Sequence, residues 1–370
     1  MSNRTWERII EDVRVRMTGR FTEGKTELDL LSRPAICRIF RETARDIQKK
    51  NGFPALTKKE LAEIQDYYRG APKIDPIYHQ IYKGRTGRFD VTYMPDDLYY
   101  GYIEPHFTDR EAARYVDNKT MYYHLFRDVR LPELICMRKG SVWFDGDGQP
   151  VNSRSVPGLI RRAGGELVCK QAENSETGAG VFFLDKEDPV NDFRRRVRRI
   201  PTDVVVQRAI EPHPDFAKLH PVSANSLRIM SFLKPEGVQI LSTSVRVGVG
   251  EARTDNLGTG GFFLGVDENG VTRGLGAMHD TTITEHPEHH YSLKGHRLTG
   301  IDKAHELVKK IHPVMGRFRL SAWDVIIDRD GEAVLLETNI SLGEISNIQV
   351  CNGPLFGEDT RRIVEEVFNL

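Results

Sequence analysis

The sequence predicts an α+β fold, with helices near its N-terminus and antiparallel strands in its later part. Apolar residues recur at helix spacing between Arg4 and Gly70, which is typical of amphipathic helices. Two strand-like runs, 166–170 and 181–184, flank a glycine loop, and a second pair of runs lies within 322–339. Both pairs indicate antiparallel hairpins, so helices and antiparallel sheets are expected in one chain.

The composition is that of a globular protein without a dominant charge. The chain has 370 residues, of which 39% are hydrophobic and 29% are charged, which is enough for two or three core-bearing units. Lysine plus arginine and aspartate plus glutamate number 53 each, so no net basic field exists to attract a nucleic acid or an anionic membrane. Small-molecule substrates are therefore expected.

The cysteines and the N-terminus predict a soluble protein of the reduced cytoplasm. The four cysteines are far apart and include no Cys-x-x-Cys pair, which fits neither a zinc site nor a disulfide framework. Residues 1–17 are rich in charge, and no apolar run approaches the roughly 18 residues of a membrane span. We expect a cytoplasmic, unprocessed chain without membrane insertion.

Changes in pattern divide the chain into three parts. Residues 1–72 are predicted to be a helical N-terminal extension, in which Thr57 and Glu60 form a capping box at the start of a helix. Residues 73–165 are predicted to be an aromatic-rich linker followed by the first helices of the core. Residues 166–370 contain the strand pairs and are predicted to be the ligand-binding core.

A hairpin centred on Asp330–Gly331 is the clearest local signal in the chain. A glycine-containing pair between two apolar runs is typical of a two-residue β-turn. In that case Arg329 faces Glu332, and counting back along both strands places Asp324 directly opposite Glu337. The sequence therefore predicts two carboxylates side by side on one face of a sheet.

This pair of acids, with Asn339 on the same face, predicts a metal site. Directly opposed side chains lie about 5 Å apart at Cβ, and like charges there repel. A divalent cation would relieve the repulsion between Asp324 and Glu337. Carboxylate and amide oxygens are hard ligands that suit Mg²⁺ or Mn²⁺. The alternative is a surface hairpin whose acids are solvated.

A lysine and a glycine loop predict a site for phosphate. Lys170 ends a strand, and the loop that follows contains Gly178 and Gly180, whose backbone N–H groups can turn toward an anion. The order strand, loop, strand differs from the P-loop and the dinucleotide fingerprint, which lead into a helix. Lys119 is a further candidate. The alternatives are a plain hairpin turn and a solvated lysine.

Polar residues at three later strands complete the candidate site. The strand 203–210 turns polar at Gln207 and is followed by Glu211, so its backbone could meet an adenine while the acid meets a ribose. Arg228 and Arg246 lie on two alternating strands, and the planar guanidinium binds oxyanions through two hydrogen bonds. The alternative for each arginine is a solvated side chain on the outer face of a strand.

Two loops allow more than one interpretation. The turn Asp255–Gly261 is rich in glycine and is expected to close over a substrate. The stretch from His279 to His296 contains several histidines, which raises the possibility of zinc. Because no second cluster of cysteine or histidine exists in the sequence, we predict a substrate-facing loop instead.

The order of these residues along the chain resembles the ATP-grasp superfamily. Within it, the sequence is most similar to the sugar-transfer associated ATP-grasp proteins, because residues 225–339 contain an Asn-x-x-Arg strand, a second arginine strand, an Asp-Asn turn ending in Gly-Gly and a late Trp-Asp-Val hairpin. The motifs that carry the resemblance are Asp117-Asn118-Lys119, Lys170, Gly178 to Gly180, Gln207 to Glu211, Asn225 to Arg228, Trp323-Asp324-Val325 and Glu337-Thr338-Asn339.

This resemblance implies an ATP-grasp fold, in which two α+β lobes clasp ATP between antiparallel sheets. ATP and Mg²⁺ (or Mn²⁺) are the implied cofactors. Lys119 and Lys170 would neutralise the phosphates, and the backbone from Gly178 to Gly180 would cover them. The edge from Gln207 to Ala209 would bind the adenine, with Glu211 near the ribose. Many relatives have a glutamate where this chain has Gln207.

The resemblance also implies a reaction. Enzymes of this kind typically transfer the γ-phosphoryl group to a carboxylate and let an amine displace it, with Lys170, Arg228 and Arg246 stabilising the charge. We predict an ADP-forming carboxylate–amine ligase in glycan or secondary-metabolite biosynthesis, with a carboxylate and an amine or similar nucleophile as substrates. The alternatives are an ATP-grasp phosphotransferase (kinase) and a non-catalytic nucleotide-binding regulatory protein. The oligomeric state stays open.

Overall fold

Two antiparallel sheets form the body of the protein. The computed structural model describes residues 32–173, 180–341 and 343–370. Within them lie a six-stranded and an eight-stranded sheet, with helices before, between and after their strands. In the same ranges, none of the helices combines the length and the apolar character that crossing a bilayer requires.

The described part of the N-terminal region is helical, as its periodicity predicts. The predicted helices are α1 (Arg33–Asn51) and α2 (Lys58–Tyr67), and α3 (Ile77–Thr86) follows in the stretch predicted to be a linker. Thr57 Oγ1 accepts the N–H of Glu60 at 3.2 Å, and Glu60 Oε2 accepts the N–H of Thr57 at 2.7 Å. The predicted capping box is therefore confirmed. Residues 1–31, the start of the predicted extension, lie outside the described residues.

A series of short helices leads toward the first sheet. They are α4 (Asp96–Leu98), a π-helical turn (Tyr99–Ile103), α5 (Glu104–Phe107), α6 (Arg110–Val116) and α7 (Lys119–Leu125). Asn118 caps α7, because its side-chain oxygen accepts the N–H of Thr120 at 2.9 Å. The cap places Lys119 at the first position of the helix.

The six-stranded sheet contains the predicted strand, loop, strand unit. Its order is β3-β2-β1-β6-β4-β5, with all its pairs antiparallel. Apolar side chains of the strands and of the helices α8 and α9 form one core. The elements are β1 (Leu134–Lys139), β2 (Val142–Asp145), β3 (Pro150–Val151), α8 (Val156–Ala163), β4 (Leu167–Gln171), β5 (Val181–Phe183), α9 (Pro189–Val197) and β6 (Val204–Arg208).

The predicted boundary of the core at residue 166 falls between strands of this one sheet. Strands β1, β2 and β3 precede that residue, and β1 is paired with β6, a central strand. The short strands between 134 and 151 carry weak alternation, and β2 and β3 are only half-buried. Sequence periodicity therefore gave no strong signal for them, and the core starts earlier than predicted.

The eight-stranded sheet holds most of the remaining candidate residues. Its order is β11-β10-β9-β8-β7-β13-β14, with β12 beside β10. The elements are α10 (Pro214–Ala217), β7 (Leu227–Lys234), β8 (Gly237–Val247), a 3-10 turn (Leu257–Thr259), β9 (Phe262–Val266), β10 (Val271–Ala277), β11 (Thr282–Ile283), β12 (Lys294–Arg297), α11 (Ile301–Ile311), a 3-10 turn (His312–Met315), β13 (Leu320–Ile327), β14 (Ala333–Asn339), α12 (Ile345–Asn352), a 3-10 turn (Gly357–Asp359) and α13 (Thr360–Phe368).

Each face of this sheet packs against a different helix. Side chains alternate between the faces along a strand, so Ile229 and Trp323 belong to the core that includes α11. Met230 and Ala322 belong to the core that includes α12. The charged candidate residues share the face of Met230 and Ala322.

The N-terminal helices are part of the same core as α12. Phe40 of α1 and Tyr82 of α3 belong to one buried cluster with Phe232 of β7 and Ile348 of α12. The side chain of Gln349 also bonds both the N–H and the carbonyl of Met94, each at 2.9 Å. The two bonds between Gln349 and Met94 join residues 255 positions apart, and α1, from the region predicted to be an extension, is packed into the body of the protein.

The hairpin of β13 and β14 has a longer turn than predicted. Asp328 is bonded to Glu332, whose carbonyl accepts its N–H at 2.9 Å, so three residues form the turn. Gly331 has a φ of 77° there, the left-handed conformation that such turns require. A bulge between Val325 and Asp324 then adds one residue to β14. The two differences from the predicted register cancel.

Candidate active site

Three charged residues lie next to one another on neighbouring strands. Asp324 of β13 pairs with Glu337 of β14 on one side, as the sequence predicts, and with Arg228 of β7 on the other. Directly opposed residues point to the same face of an antiparallel sheet. Two carboxylates and one guanidinium therefore form a row across this face of the sheet.

Two arginines neutralise Asp324. Nε of Arg228 donates to Oδ1 of Asp324 at 2.6 Å, and Nη2 of Arg246 lies 2.9 Å from Oδ2. Burial of Asp324 would raise its pKa, but the two guanidinium charges hold that pKa below its ordinary value. A metal ion was predicted to relieve the repulsion between Asp324 and Glu337. In the structure, the two arginines already provide part of the positive charge that this requires.

Arg246 is held by a second acid, Asp255. Nη2 of Arg246 lies 3.3 Å from Oδ1 of Asp255 and donates to Oγ of Ser226 at 2.7 Å. Oδ2 of Asp255 accepts the N–H of Ser226 at 2.6 Å. Burial opposes the charge on Arg246, but Asp255 and Asp324 raise its pKa above the ordinary value. Arg246 is therefore fixed in position as a cation.

Glu344 extends the charged cluster from the start of α12. Its Oε2 lies 3.7 Å from Nη1 of Arg228, and its φ is 60°. A non-glycine residue in this left-handed conformation costs roughly 1–2 kcal/mol, and such strain is often found at functional sites. The backbone is therefore strained at Glu344, the residue whose carboxylate points toward Arg228.

Lys119 connects α7 with the hairpin. Its Nζ donates to Oε1 of Glu337 at 2.7 Å, and its side chain is buried. Asp117 accepts a hydrogen bond from Thr338 Oγ1 at 3.1 Å. Burial, with a contribution from the charge of Glu337, raises the pKa of Asp117 to about 8. Lys119 therefore contacts Glu337, one of the predicted metal ligands.

Lys170 faces this cluster from the other sheet. Burial and the nearby charge of Lys119 lower its pKa to about 8, although Glu337, Asp324 and Asp255 act in the opposite direction. Among the described residues its ammonium group makes no hydrogen bond and no ion pair. Lys170 is therefore a half-buried cation between the sheets whose hydrogen-bonding capacity is unused within the described chain.

Only the end of the predicted glycine flap can be placed. Gly180 has a φ of 74° and would bring a Cβ within 2.7 Å of the Gln171 side chain, so no larger residue fits there. Its carbonyl accepts the N–H of Gln171 at 3.0 Å. Gly178 lies outside the described residues. The flap therefore begins and ends on β4 and β5, next to Lys170.

The predicted adenine edge differs from the structure in one respect. Strand β6 is central, and the N–H of Ala209 donates to the carbonyl of Glu166 at 2.9 Å, so Ala209 is not a free donor. Within the described residues, the N–H of Ile210 makes no hydrogen bond. Gln207 donates to Tyr123 at 2.6 Å, while its buried Oε1 has no partner there. A buried acceptor without a partner suits a ligand that donates.

Glu211 lies at the surface where the chain leaves β6. Its Oε2 is 3.3 Å from Nη1 of Arg329, and both side chains are largely exposed. Its carbonyl accepts the N–H of Arg329 at 3.0 Å. The structure thus links the predicted ribose residue to the hairpin that carries Asp324 and Glu337.

The predicted metal ligands match Mg²⁺ in chemistry. Asp324, Glu337 and Asn339 offer hard oxygen atoms. The oxygens of Asp324 contact Arg228 and Arg246, and one oxygen of Glu337 contacts Lys119. A metal ion would therefore share these carboxylates with the protein cations.

Two acids of the cluster were not among the predicted site residues. Asp255 was noted only as part of a glycine-rich turn, and nothing in the sequence around Glu344 marks it. A sequence signal existed for Asp255, because the Asp-Asn pair lies between Arg246 and a Gly-Gly turn. No comparable signal exists for Glu344, since its contact depends on how α12 is placed over the sheet.

Taken together, a lysine of one antiparallel sheet faces acids and arginines of another, which is the arrangement of an ATP-grasp protein. A family model described as sugar-transfer associated ATP-grasp matches residues 101–364. The chain therefore belongs to the sugar-transfer associated ATP-grasp family. This match confirms the resemblance seen in the sequence and the fold it implies.

Comparison with solved structures finds distant similarities. D-alanyl-alanine synthetase A from Vibrio cholerae aligns with 71% of this chain and 68% of its own, at 16% identity and a TM-score of 0.43. The purK N5-carboxyaminoimidazole ribonucleotide synthetase in an ADP complex aligns over 69% and 52%, at 11% identity and a TM-score of 0.40.

A third similar structure is the ATP-grasp ligase PsnB with a minimal precursor, Mg and ADP. It aligns with 70% of this chain and 62% of its own, at 15% identity and a TM-score of 0.39. Among curated protein sequences, none matches this chain.

Proposed function

We propose that the protein is an ATP-dependent, ADP-forming ligase that activates a carboxylate as an acyl phosphate for attack by an amine. The proposal rests chiefly on Lys170, whose half-buried ammonium has no ion-pair partner among the described residues and faces the acids of the other sheet. Such a cation needs a compensating anion. The phosphates of a nucleotide bound between the sheets would provide it.

The nucleotide would lie along the first sheet. Lys170 and Lys119 would neutralise its phosphates, and the segment from Gly178 to Gly180 would cover them. At the hinge, Oε1 of Gln207 is a buried acceptor for the adenine amino group, and the N–H of Ile210 replaces that of Ala209 as the free donor. Glu211 would contact the ribose.

Asp324, Glu337 and Asn339 would hold Mg²⁺. A bound magnesium ion would orient the phosphates and offset their charge. Lys119 contacts Glu337 at 2.7 Å, so it would lie beside both the metal and the phosphates. Because Lys119 is part of α7, nucleotide binding at Lys119 would be coupled to the position of Glu337 in the hairpin.

Arg228 and Arg246 would stabilise the phosphoryl group during its transfer. Both are held by Asp324, and Arg246 is held by Asp255 as well. Fixed cations lower the barrier because they need no reorganisation when charge develops. The order of events is attack of the carboxylate on the γ-phosphorus, release of ADP, then attack of the amine on the acyl carbon with phosphate as the leaving group.

The setting that we propose is cytoplasmic glycan or secondary-metabolite biosynthesis. The four cysteines are buried and free, which suits a reduced compartment. The partners would be two small molecules, a carboxylate and an amine or similar nucleophile.

The test is the fate of ATP in the presence of hydroxylamine. The purified protein would be incubated with ATP, Mg²⁺ and mixtures of sugar acids and amino acids, and ADP, phosphate and hydroxamate would be measured. A ligase should release ADP and phosphate and form a hydroxamate, because hydroxylamine intercepts the acyl phosphate. Glu337→Gln should abolish the hydroxamate, while Glu332→Gln, at the turn of the same hairpin, should not.

Other outcomes would distinguish the alternatives. A kinase would form ADP and a stable phosphorylated product without free phosphate. A regulatory protein would bind ATP and consume none with any acid in the mixtures. Release of AMP and pyrophosphate in proportion to the product would contradict the proposed attack on the γ-phosphorus.

A further inference from the structure

Three potential metal ligands meet on the surface, apart from the candidate active site. They are His220, Glu288 and His289, and one ligand atom of each lies within 4.8 Å of the others. His220 precedes β7, while the other two belong to the histidine-rich stretch. The sequence analysis disfavoured zinc because no second cluster of cysteine or histidine exists, but in the structure the single residue His220 lies beside two residues of the stretch.

His220 gives the cluster a rigid base. Its ring is buried, with Nδ1 2.9 Å from Oγ of Ser223 and Nε2 2.9 Å from the carbonyl of Gly250. The Cβ that any other residue would add at Gly248 would lie 2.8 Å from Nδ1 of His220. The imidazole is therefore fixed on several sides.

Gly250 brings Glu288 to the same place. Its N–H donates to Oε2 of Glu288 at 2.8 Å, while its carbonyl faces Nε2 of His220. The carboxylate of Glu288 thus contacts the N–H of Gly250, and Nε2 of His220 contacts the carbonyl of the same residue. We infer from this arrangement that Nε2 is the atom of His220 that faces the cluster.

His286 holds the turn that presents Glu288 and His289. Its Nδ1 accepts the N–H groups of both residues, at 3.3 Å and 3.2 Å, and its Nε2 lies 3.2 Å from the carbonyl of Gly248. The rings of His286 and His289 are stacked with centroids 4.7 Å apart. His286 is fully engaged and acts as a positioning residue.

We propose that His220, Glu288 and His289 bind a zinc ion. Two imidazoles and one carboxylate, with water as a fourth ligand, are a donor set that zinc uses in proteins. Nitrogen ligands favour zinc over the Mg²⁺ expected at the nucleotide site. Glu288 and His289 are exposed, so their side chains can move to close the remaining distance.

Binding at Nε2 requires a change of tautomer in His220. The proton moves from Nε2 to Nδ1, where Oγ of Ser223 becomes its acceptor, while that oxygen continues to donate to Oδ1 of Asn225 at 2.8 Å. A metal-bound histidine normally donates its second N–H in this way. The carbonyl of Gly250 and the N–H of Ser223 each lose their bond to the ring.

The ion would tie the segment before β7, which carries His220, to the turn that carries Glu288 and His289. Asn225 accepts the N–H of Gly248 at 3.3 Å and directly precedes Ser226, which bonds Asp255 and Arg246. A structural role is therefore expected, with stabilisation of the segment that positions Arg246.

The test is zinc binding to the full-length protein in excess Mg²⁺. Calorimetry should find one saturable zinc site, zinc should raise the melting temperature, and Co²⁺ should give the visible absorption of a tetrahedral site. Because His289 and Glu288 are exposed, His289→Ala and Glu288→Gln should fold normally and weaken binding by at least about tenfold, as loss of one ligand implies.

Matched controls lie in the same stretch of chain. His279→Ala removes an exposed histidine and Glu285→Gln an exposed acid, and neither belongs to the cluster, so both should bind zinc as the wild type does. The proposal would be overturned by the absence of saturable binding in the wild type, by a cobalt spectrum without tetrahedral features, or by equal losses in the control variants.

Discussion

At the scale of single residues, the protonation state of Lys170 would control the charge that the proposed site offers to a nucleotide. Burial and Lys119 lower its pKa to about 8, and the acids of the other sheet only partly offset this effect. Below that pH the ammonium is charged, and above it the neutral amine predominates. An anionic ligand should therefore bind better on the acidic side of pH 8.

This leads to a prediction for ATP binding to the free protein. As the pH rises through about 8, the affinity for ATP should fall by close to tenfold per pH unit, because one proton must be taken up on binding. Calorimetry across this range would measure the slope. Lys170→Arg should remove the slope, since a guanidinium stays charged, and Lys170→Met should bind weakly at every pH.

Lys186→Met is the control for this experiment. Lys186 lies in the loop between β5 and α9, is 72% exposed and lies 3.7 Å from Glu166, so its loss should leave both the affinity and the slope intact. An affinity that does not change across pH 8 in the wild type would show that Lys170 does not meet the phosphates.

At the scale of elements, the hairpin shows why a register can be right while its turn is wrong. The sequence predicts two turn residues and no bulge, whereas the structure has three turn residues and an extra residue, Leu336, in β14. Each difference shifts the pairing by one position, in opposite directions. Alternation alone cannot detect such a pair of compensating shifts, because residues beyond the bulge return to the predicted face.

A prediction follows for the glycine in that turn. Gly331→Ala should destabilise the protein by about 1 kcal/mol, because alanine in a left-handed conformation is strained. The added Cβ would meet only Thr299 Cγ2 at 3.7 Å, so steric overlap contributes little. Activity should persist, since the bulge keeps Asp324 opposite Glu337. Denaturant unfolding would give the free energy of unfolding.

Gly316→Ala is the matched control. Gly316 has a φ of −49°, and its added Cβ would lie 3.7 Å from the Pro313 carbonyl, so alanine fits without strain. Equal stability of Gly331→Ala and the wild type would mean that the turn does not use the left-handed conformation described here.

At the scale of the whole molecule, local patterns predicted the elements but not their assembly. Periodicity and capping were sufficient for α2, α6 and α7, because both signals are local. They gave no signal for α3 and α4, which lie in the stretch predicted to be a linker. The joining of α1 and α3 to the core of the second sheet depends on contacts between residues far apart in sequence. The meeting of His220 with Glu288 is another example, as is the position of Glu344.

The last prediction concerns Gln349 of α12, whose side chain links this helix to Tyr82 and Met94. Its Oε1 accepts the N–H of Met94 at 2.9 Å and that of Leu355 at 3.1 Å, and its Nε2 donates to Tyr82 at 2.8 Å. Gln349→Leu preserves the approximate volume but leaves these buried groups unpaired, which should cost about 2 kcal/mol or more. Gln239→Leu, on the exposed side of β8, should have little effect.

The number of unfolding transitions shows whether the N-terminal helices unfold together with the rest of the protein or as an independent unit. They share one buried cluster with α12 and α13, so the full chain should unfold in a single transition that Gln349→Leu shifts as a whole. A fragment that begins at residue 101, where the family match starts, should fail to unfold cooperatively, because the apolar face of α12 would lose its cover. Two separate transitions in the full chain, with only one moved by the substitution, would instead mean that the N-terminal helices fold as an independent unit.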